Sequence, residues 1–155
     1  MSLGHVPGRP NPVLYMGDFS ATVHAVDALD GSLIWRTAVG DHPDATITGS
    51  PKLHEGNLYV PISSSEWATA ADPGYACCTF QGGVVAVDAA SGALRWRNHV
   101  IDEAAVETSE KNPFGVARKG LAGAPVWNST TIDADRGVLY VGTGEGYISP
   151  AADTS

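Results

Sequence analysis

The residues best equipped for chemistry stand in a few short segments. Ile47-Thr48-Gly49-Ser50-Pro51 and Ser63-Ser64-Ser65-Glu66 each place hydroxyls at what reads as a strand end. Hydroxyls and free backbone N–H groups in such a place suit a polyanionic ligand. A carboxylate beside them, Glu66, suits a hard cation such as calcium. A serine-rich surface turn with a solvated Glu66 is the plainer alternative. Another segment is Cys77-Cys78, within GYACCTFQGG. Neighbouring α-carbons lie about 3.8 Å apart, below the usual disulfide span. A bond between the two would close a small ring; two free thiols and a metal site are the alternatives, the last lacking CxxC spacing or paired histidines.

Several chemistries are excluded. His5, His24, His42, His54 and His99 form no HxxxH or HExxH spacing. No GxSxG or P-loop is present. Gly142-Thr143-Gly144-Glu145-Gly146 follows a strand but opens no helix, which argues against dinucleotide binding. No CxxCH occurs, so any haem would be carried outside this chain. A net charge of −8 argues against a nucleic-acid partner, which needs a basic face. No apolar run reaches the length of a membrane span. Residues 1–13 lack the apolar core of a signal peptide, so either the protein is cytosolic or its natural start is missing.

The elements that must position these residues are strands. The chain has 155 residues, 43% of them hydrophobic, with 18 Gly and 10 Pro. That suits one domain of short strands joined by turns. Two-residue apolar alternation predicts strands at Val13–Met16, Val23–Val26, Leu33–Trp35, Ser50–Leu53, Leu58–Val60, Val84–Val87 and Leu94–Trp96. A further hairpin joins Pro125–Ile132 to Val138–Val141. Residues 63–82 read as a polar excursion and 98–122 as a long connection.

Residues 23–36, VHAVDALDGSLIWR, return as residues 84–97, VVAVDAASGALRWR. Both copies hold Ala-x-Asp-x-x-x-Gly-x-x-x-Trp: Ala25, Asp27, Gly31, Trp35 and Ala86, Asp88, Gly92, Trp96. A fixed repeat of this size marks tandem supersecondary units. In register they are four-stranded antiparallel units, A to D, with Leu-Tyr on strand B at Leu14-Tyr15, Leu58-Tyr59 and Leu139-Tyr140. Such units in tandem build β-propellers. The expected fold is all-β, an incomplete propeller of fewer than three blades, in pieces at about 13–37, 47–98 and 124–155. It begins and ends within a unit, and Trp35 and Trp96 are expected in the core.

The repeat resembles the tryptophan-docking motif of the quinoprotein alcohol dehydrogenases, although the Thr or Ser usual before the Gly is Asp30 in the first copy. DHPDATITGSPKLHEGNLYVPISSSEW and APVWNSTTIDADRGVLYVGTGEGY are similar to that family, most of all to its polyvinyl-alcohol-dehydrogenase-like branch. The resemblance implies that Thr48, Ser63, Ser64 and Ser65 bind pyrroloquinoline quinone (PQQ) and that Trp127 forms the floor under its ring. It implies calcium held by Glu66 and by Glu145, where the family commonly has Asn. It implies a vicinal disulfide, Cys77–Cys78, although the best-known members carry theirs before the Thr segment. The catalytic Asp of the family sits on a later blade, beyond Ser155, and such propellers close with about eight blades.

These features together read as part of a PQQ- and calcium-dependent alcohol dehydrogenase, inactive as this piece. By the resemblance it acts on small or polymeric alcohols such as polyvinyl alcohol, passes electrons to a cytochrome-type acceptor, is periplasmic or secreted, and needs further blades or another chain to close the ring. The competing expectation is a non-enzymatic propeller scaffold, or protein-binding module, of the cell envelope.

Overall fold

Val13 and Tyr15, then Val23 and Ala25, are buried in alternation with less buried neighbours. A two-residue period puts one face of each strand into a core. In the computed structural model, which describes residues 1–147, β1 (Ser2–Gly4), β2 (Val13–Gly17), β3 (Thr22–Asp27) and β4 (Leu33–Ala38) form an antiparallel sheet in that order. The first unit therefore has its strand A, which the sequence reading does not contain. Ser-Leu-Gly has little strand propensity; its pairing with Val13–Tyr15 creates it.

The second sheet holds β5 (Ala45–Thr46), β6 (Lys52–His54), β7 (Asn57–Ser64), β8 (Gly83–Asp88) and β9 (Leu94–His99). β5 and β6 both pair with β7, at opposite ends of it. Strand A is thus broken, and residues 47–51 leave the sheet. The helix α1 (Glu66–Thr69) follows β7 directly. The long connection is not structureless: β10 (Val106–Lys111) and β11 (Ala117–Gly120) form a hairpin. β12 (Thr131–Asp133) and β13 (Val138–Tyr140) form the expected last hairpin, shorter than read. Residues 148–155 of the third expected piece lie outside the described residues. Among the described residues no sheet closes on itself.

The repeated residues do local work at the turn between strands C and D. Gly31 and Gly92 sit at φ of 75° and 74°, a conformation open to glycine. Their N–H groups donate to the Asp27 and Asp88 carbonyls at 2.9 and 2.8 Å. The Asp27 carboxylate accepts from the Leu29 N–H, and that of Asp88 from the Ser91 N–H and hydroxyl. The Ser91 hydroxyl, then its N–H, then Arg95, hold the Asp88 carboxyl down at about 2. Asp30 accepts from the Ser32 N–H at 2.8 Å, as the Ser91 hydroxyl accepts from the Ala93 N–H at 3.3 Å, but it has no proton to give to the preceding Asp.

The Trp then joins one sheet to the next. Trp35 lies over Gly92, and its Nε1–H donates to the Ala89 carbonyl at 3.2 Å. Tyr15, fully buried, donates its hydroxyl to the same carbonyl at 2.9 Å. A shared core of Val13, Tyr15, Val23, Ala25, Leu58, Val60, Val85 and Val87 fuses the two sheets. Tyr15–Trp35 and Tyr59–Trp96 repeat the same tilted pair, each with ring centroids 5.9 Å apart. Trp96 departs from expectation. It is 43% exposed rather than core, because residues 131–147 hold only a hairpin and offer no turn like Ala89–Gly92 to cover it.

Candidate functional site

The break in strand A brings the third unit onto the second. With residues 47–51 out of the sheet, the Ser50 N–H donates to the Ser129 hydroxyl at 3.0 Å, and the Thr48 hydroxyl to the Trp127 carbonyl at 3.1 Å. Val126, fully buried, donates its N–H to the Ile62 carbonyl at 3.0 Å. The segment 122–126 in turn pairs with residues 144–147, through Ala124 N–H to the Glu145 carbonyl and Tyr147 N–H to the Ala122 carbonyl, both 2.9 Å. A Cβ on Gly49 or Gly123 would strike that backbone, so these glycines permit the close approach.

At this junction a cavity of about 270 Å³ is lined by Ser64, Trp67, Pro125, Trp127, Glu145 and Tyr147. A second, of about 570 Å³, adjoins it and shares Trp67, Glu145 and Tyr147. Its wall includes Tyr75, the Cys77–Cys78 disulfide and Arg118. The hairpin β10–β11 completes that wall: the Lys119 N–H donates to the Cys77 carbonyl at 2.7 Å, and Asn112 reaches the Pro73 carbonyl at 2.8 Å.

The structure thus gathers Ser64, Trp127, Glu145, Cys77 and Cys78 around two adjoining spaces. Trp127 presents 56% of its surface, so its indole is a free flat face. The Ser64 hydroxyl accepts the Glu66 N–H at 2.8 Å, and its own proton faces the Tyr147 phenol oxygen. Burial, above all, raises the Tyr147 phenol, and the Ser64 hydroxyl works against that shift. Thr48 meets the site only through the Trp127 backbone. Ser63 is buried within the β5–β7 pairing. Ser65 turns to the Asp44 carbonyl, 3.4 Å from its hydroxyl.

Glu66 lines neither cavity. It is 0% exposed. Its Oε1 accepts from the Tyr75 hydroxyl at 2.7 Å, the Thr79 N–H at 2.7 Å and the Thr79 hydroxyl at 3.4 Å; its Oε2 accepts from the Phe80 N–H at 3.0 Å. Glu145 lines both cavities, whereas the Glu66 carboxylate faces its own loop. Among the described residues no group of His, Cys, Asp and Glu is gathered to hold a metal. The sequence reading also misses Trp67, Arg118 and Tyr147; no motif marks them, and only folding of α1 and β11 brings Trp67 and Arg118 here.

Tyr75 is pushed up to about 12, first by burial and then by its hydrogen bond to Glu66 and that group's charge. A raised phenol stabilises the fold fully below its ordinary value near 10 and loses that contribution as pH climbs through about 12. We expect stability to fall across this window, and Tyr75→Phe to flatten the fall; thermal melts at a series of pH values check this.

A family model described as outer membrane protein assembly factor BamB matches residues 1–73. A polyvinylalcohol dehydrogenase of Pseudomonas sp. is 37% identical over 134 residues, covering 86% of this chain and 21% of the relative. One of Sphingopyxis sp. (strain 113P3) is 35% identical over 147 residues, covering 92% and 22%. The chain belongs to the quinoprotein alcohol dehydrogenase family. It falls on the polyvinyl-alcohol-dehydrogenase-like branch and spans about a fifth of the length of these curated relatives. In fold it is similar to the quinohemoprotein alcohol dehydrogenase ADHIIG of Pseudomonas putida HK5, with a TM-score of 0.61 at 22% identity over 86% of this chain and 20% of that one. Its two larger sheets are blades of this family's β-propeller. No described helix is long and apolar enough to cross a membrane.

Proposed function

We propose that this chain forms part of the cofactor site of a PQQ-dependent dehydrogenase that oxidises alcohols, with polyvinyl alcohol and similar secondary alcohols as substrates. The observation that carries this reading is the cavity that joins Ser64, Trp127 and Glu145 beside the Cys77–Cys78 disulfide. A flat polycyclic ring needs flat walls, and Trp127 and Trp67 offer the largest that side chains provide. The Ser64 hydroxyl proton, free to rotate away from Tyr147, can go to a ring oxygen or carboxylate. Arg118, whose side chain is only 12% exposed, lines the larger space, and its guanidinium matches a carboxylate in two-pronged geometry. When bound, the quinone supplies a two-electron acceptor for hydrogen from the alcohol carbon.

The residues present fit the quinone better than they fit calcium. Glu145 is an exposed carboxylate at both cavities, whereas the buried Glu66 carboxylate is turned to its own loop. The general base is proposed to lie on a later blade. Haem outside this chain, a cytochrome-type electron acceptor and a periplasmic location belong to the same proposal.

The scaffold alternative draws on the BamB-described family model. That match ends at residue 73, before the disulfide and before residues 125–147, so it leaves out most of the cavity. Dye reduction separates the readings. We expect the full-length protein to reduce dye with polyvinyl alcohol or secondary alcohols only when PQQ is supplied, and the 155-residue chain alone to show no turnover. A full-length protein that binds no PQQ and oxidises no alcohol contradicts the proposal.

A further inference from the structure

We propose that Glu66 is the internal anchor of the disulfide loop, a positioning residue that holds Cys77–Cys78 in the cavity wall, and not a ligand of a cation. The loop from residue 70 to 82 has little regular backbone pairing of its own. Outside, the loop is held by the Cys77 pairing with Lys119, by the Asn112 bond to Pro73, and by the bonds of Phe80 and Gly82 to Gly123. Its fixed point inside is Glu66, whose partners Tyr75, Thr79 and Phe80 bracket the disulfide on both sides.

Glu66 is itself tightly placed. It opens α1, and its N–H is taken by Ser64. Behind it, His42 Nε2 lies 2.9 Å from the Thr79 hydroxyl and 3.6 Å from Glu66 Oε1. Asp44 holds the other end of α1 through the Thr69 hydroxyl at 2.8 Å. The Glu66 carboxylate is 0% exposed, with Oε1 fully engaged and Oε2 held by the Phe80 N–H, which leaves one acceptor position facing the interior; turning it outward to a cation would strand two backbone N–H groups and a phenol. The raised Tyr75 phenol fits the same picture. The inference stands whether or not a quinone binds, because every contact is internal.

The test uses Glu66→Gln and Tyr75→Phe in the full-length protein. Gln keeps the size but brings an amide donor to a place where donors already converge. Cys78 is 2% exposed, and thiol exchange needs access to a sulfur. We expect Glu66→Gln to speed reduction of the disulfide by dithiothreitol about tenfold, read by thiol labelling, because buried donors lose their acceptor. Tyr75→Phe removes one donor and should speed it about threefold. Calcium affinity, measured by calorimetry with calcium chloride alone, should stay within about twofold of the parent in both. A parental reduction rate in the variants, or loss of calcium binding in Glu66→Gln, overturns the proposal. If Glu66→Gln fails to fold, the Tyr75→Phe rate decides.

Discussion

Trp127→Ala should weaken PQQ binding to the full-length protein by ten- to a hundredfold while leaving its melting temperature within a degree or two. The indole is 56% exposed, so little packing is lost in the unliganded fold. The contact it makes with the second blade runs through its backbone carbonyl, which alanine keeps. What disappears is a flat apolar face of roughly 100 Å² for the ring, worth about 2.5 kcal/mol at the usual transfer coefficient. Each 1.4 kcal/mol is about tenfold in affinity. Quenching of the remaining tryptophans on titration with PQQ measures it. Unchanged affinity would place the ring elsewhere.

Trp35 should behave in the opposite way. Trp35→Ala removes an indole packed between blades and the hydrogen bond to Ala89, a loss of about 3–4 kcal/mol in stability. Gly92→Ala should cost nearly as much. A Cβ there would sit 2.6 Å from Trp35 Cε3 and 2.7 Å from the Thr37 hydroxyl oxygen, at a φ of +74°. Gly31 has nearly the same φ, 75°, with nothing within 4 Å of a Cβ, so Gly31→Ala should cost only about 1 kcal/mol. Urea unfolding of the full-length protein reads all of these. Equal losses at residues 31 and 92 would show that Trp35 does not dock on Gly92. Combined with Trp35→Ala, the Gly92→Ala penalty should shrink toward that of Gly31→Ala, as expected for sites in contact.

The blades were legible because the repeat is built from residues acting locally. Asp27 and Asp88 cap their own turns, Gly31 and Gly92 adopt the conformation those turns demand, and alternation marks which side of each strand is buried. What was illegible depends on distant pairing. Ser2–Gly4 becomes a strand only against β2. β10, with the sequence VETSEK, is polar on both faces and reads as a connection, yet it closes the disulfide wall. Trp96 carries the same motif as Trp35, but its exposure depends on what lies across from it.

The site divides along the same line. Ser64 is marked by its place at a strand end, Trp127 and Glu145 only by the family resemblance, and the fold gathers all three. In the sequence Glu66 reads as a ligand or as a solvated turn residue. Its burial depends on N–H groups of Thr79 and Phe80, which no spacing rule connects to it.

The most direct test of the account is a crystal structure of the full-length protein with PQQ bound. Quinone density is expected stacked on Trp127, within contact of Ser64 and Glu145, with Cys77–Cys78 beside it and Glu66 still turned inward to Thr79 and Phe80. Density at any other place on the propeller, or none, would contradict it.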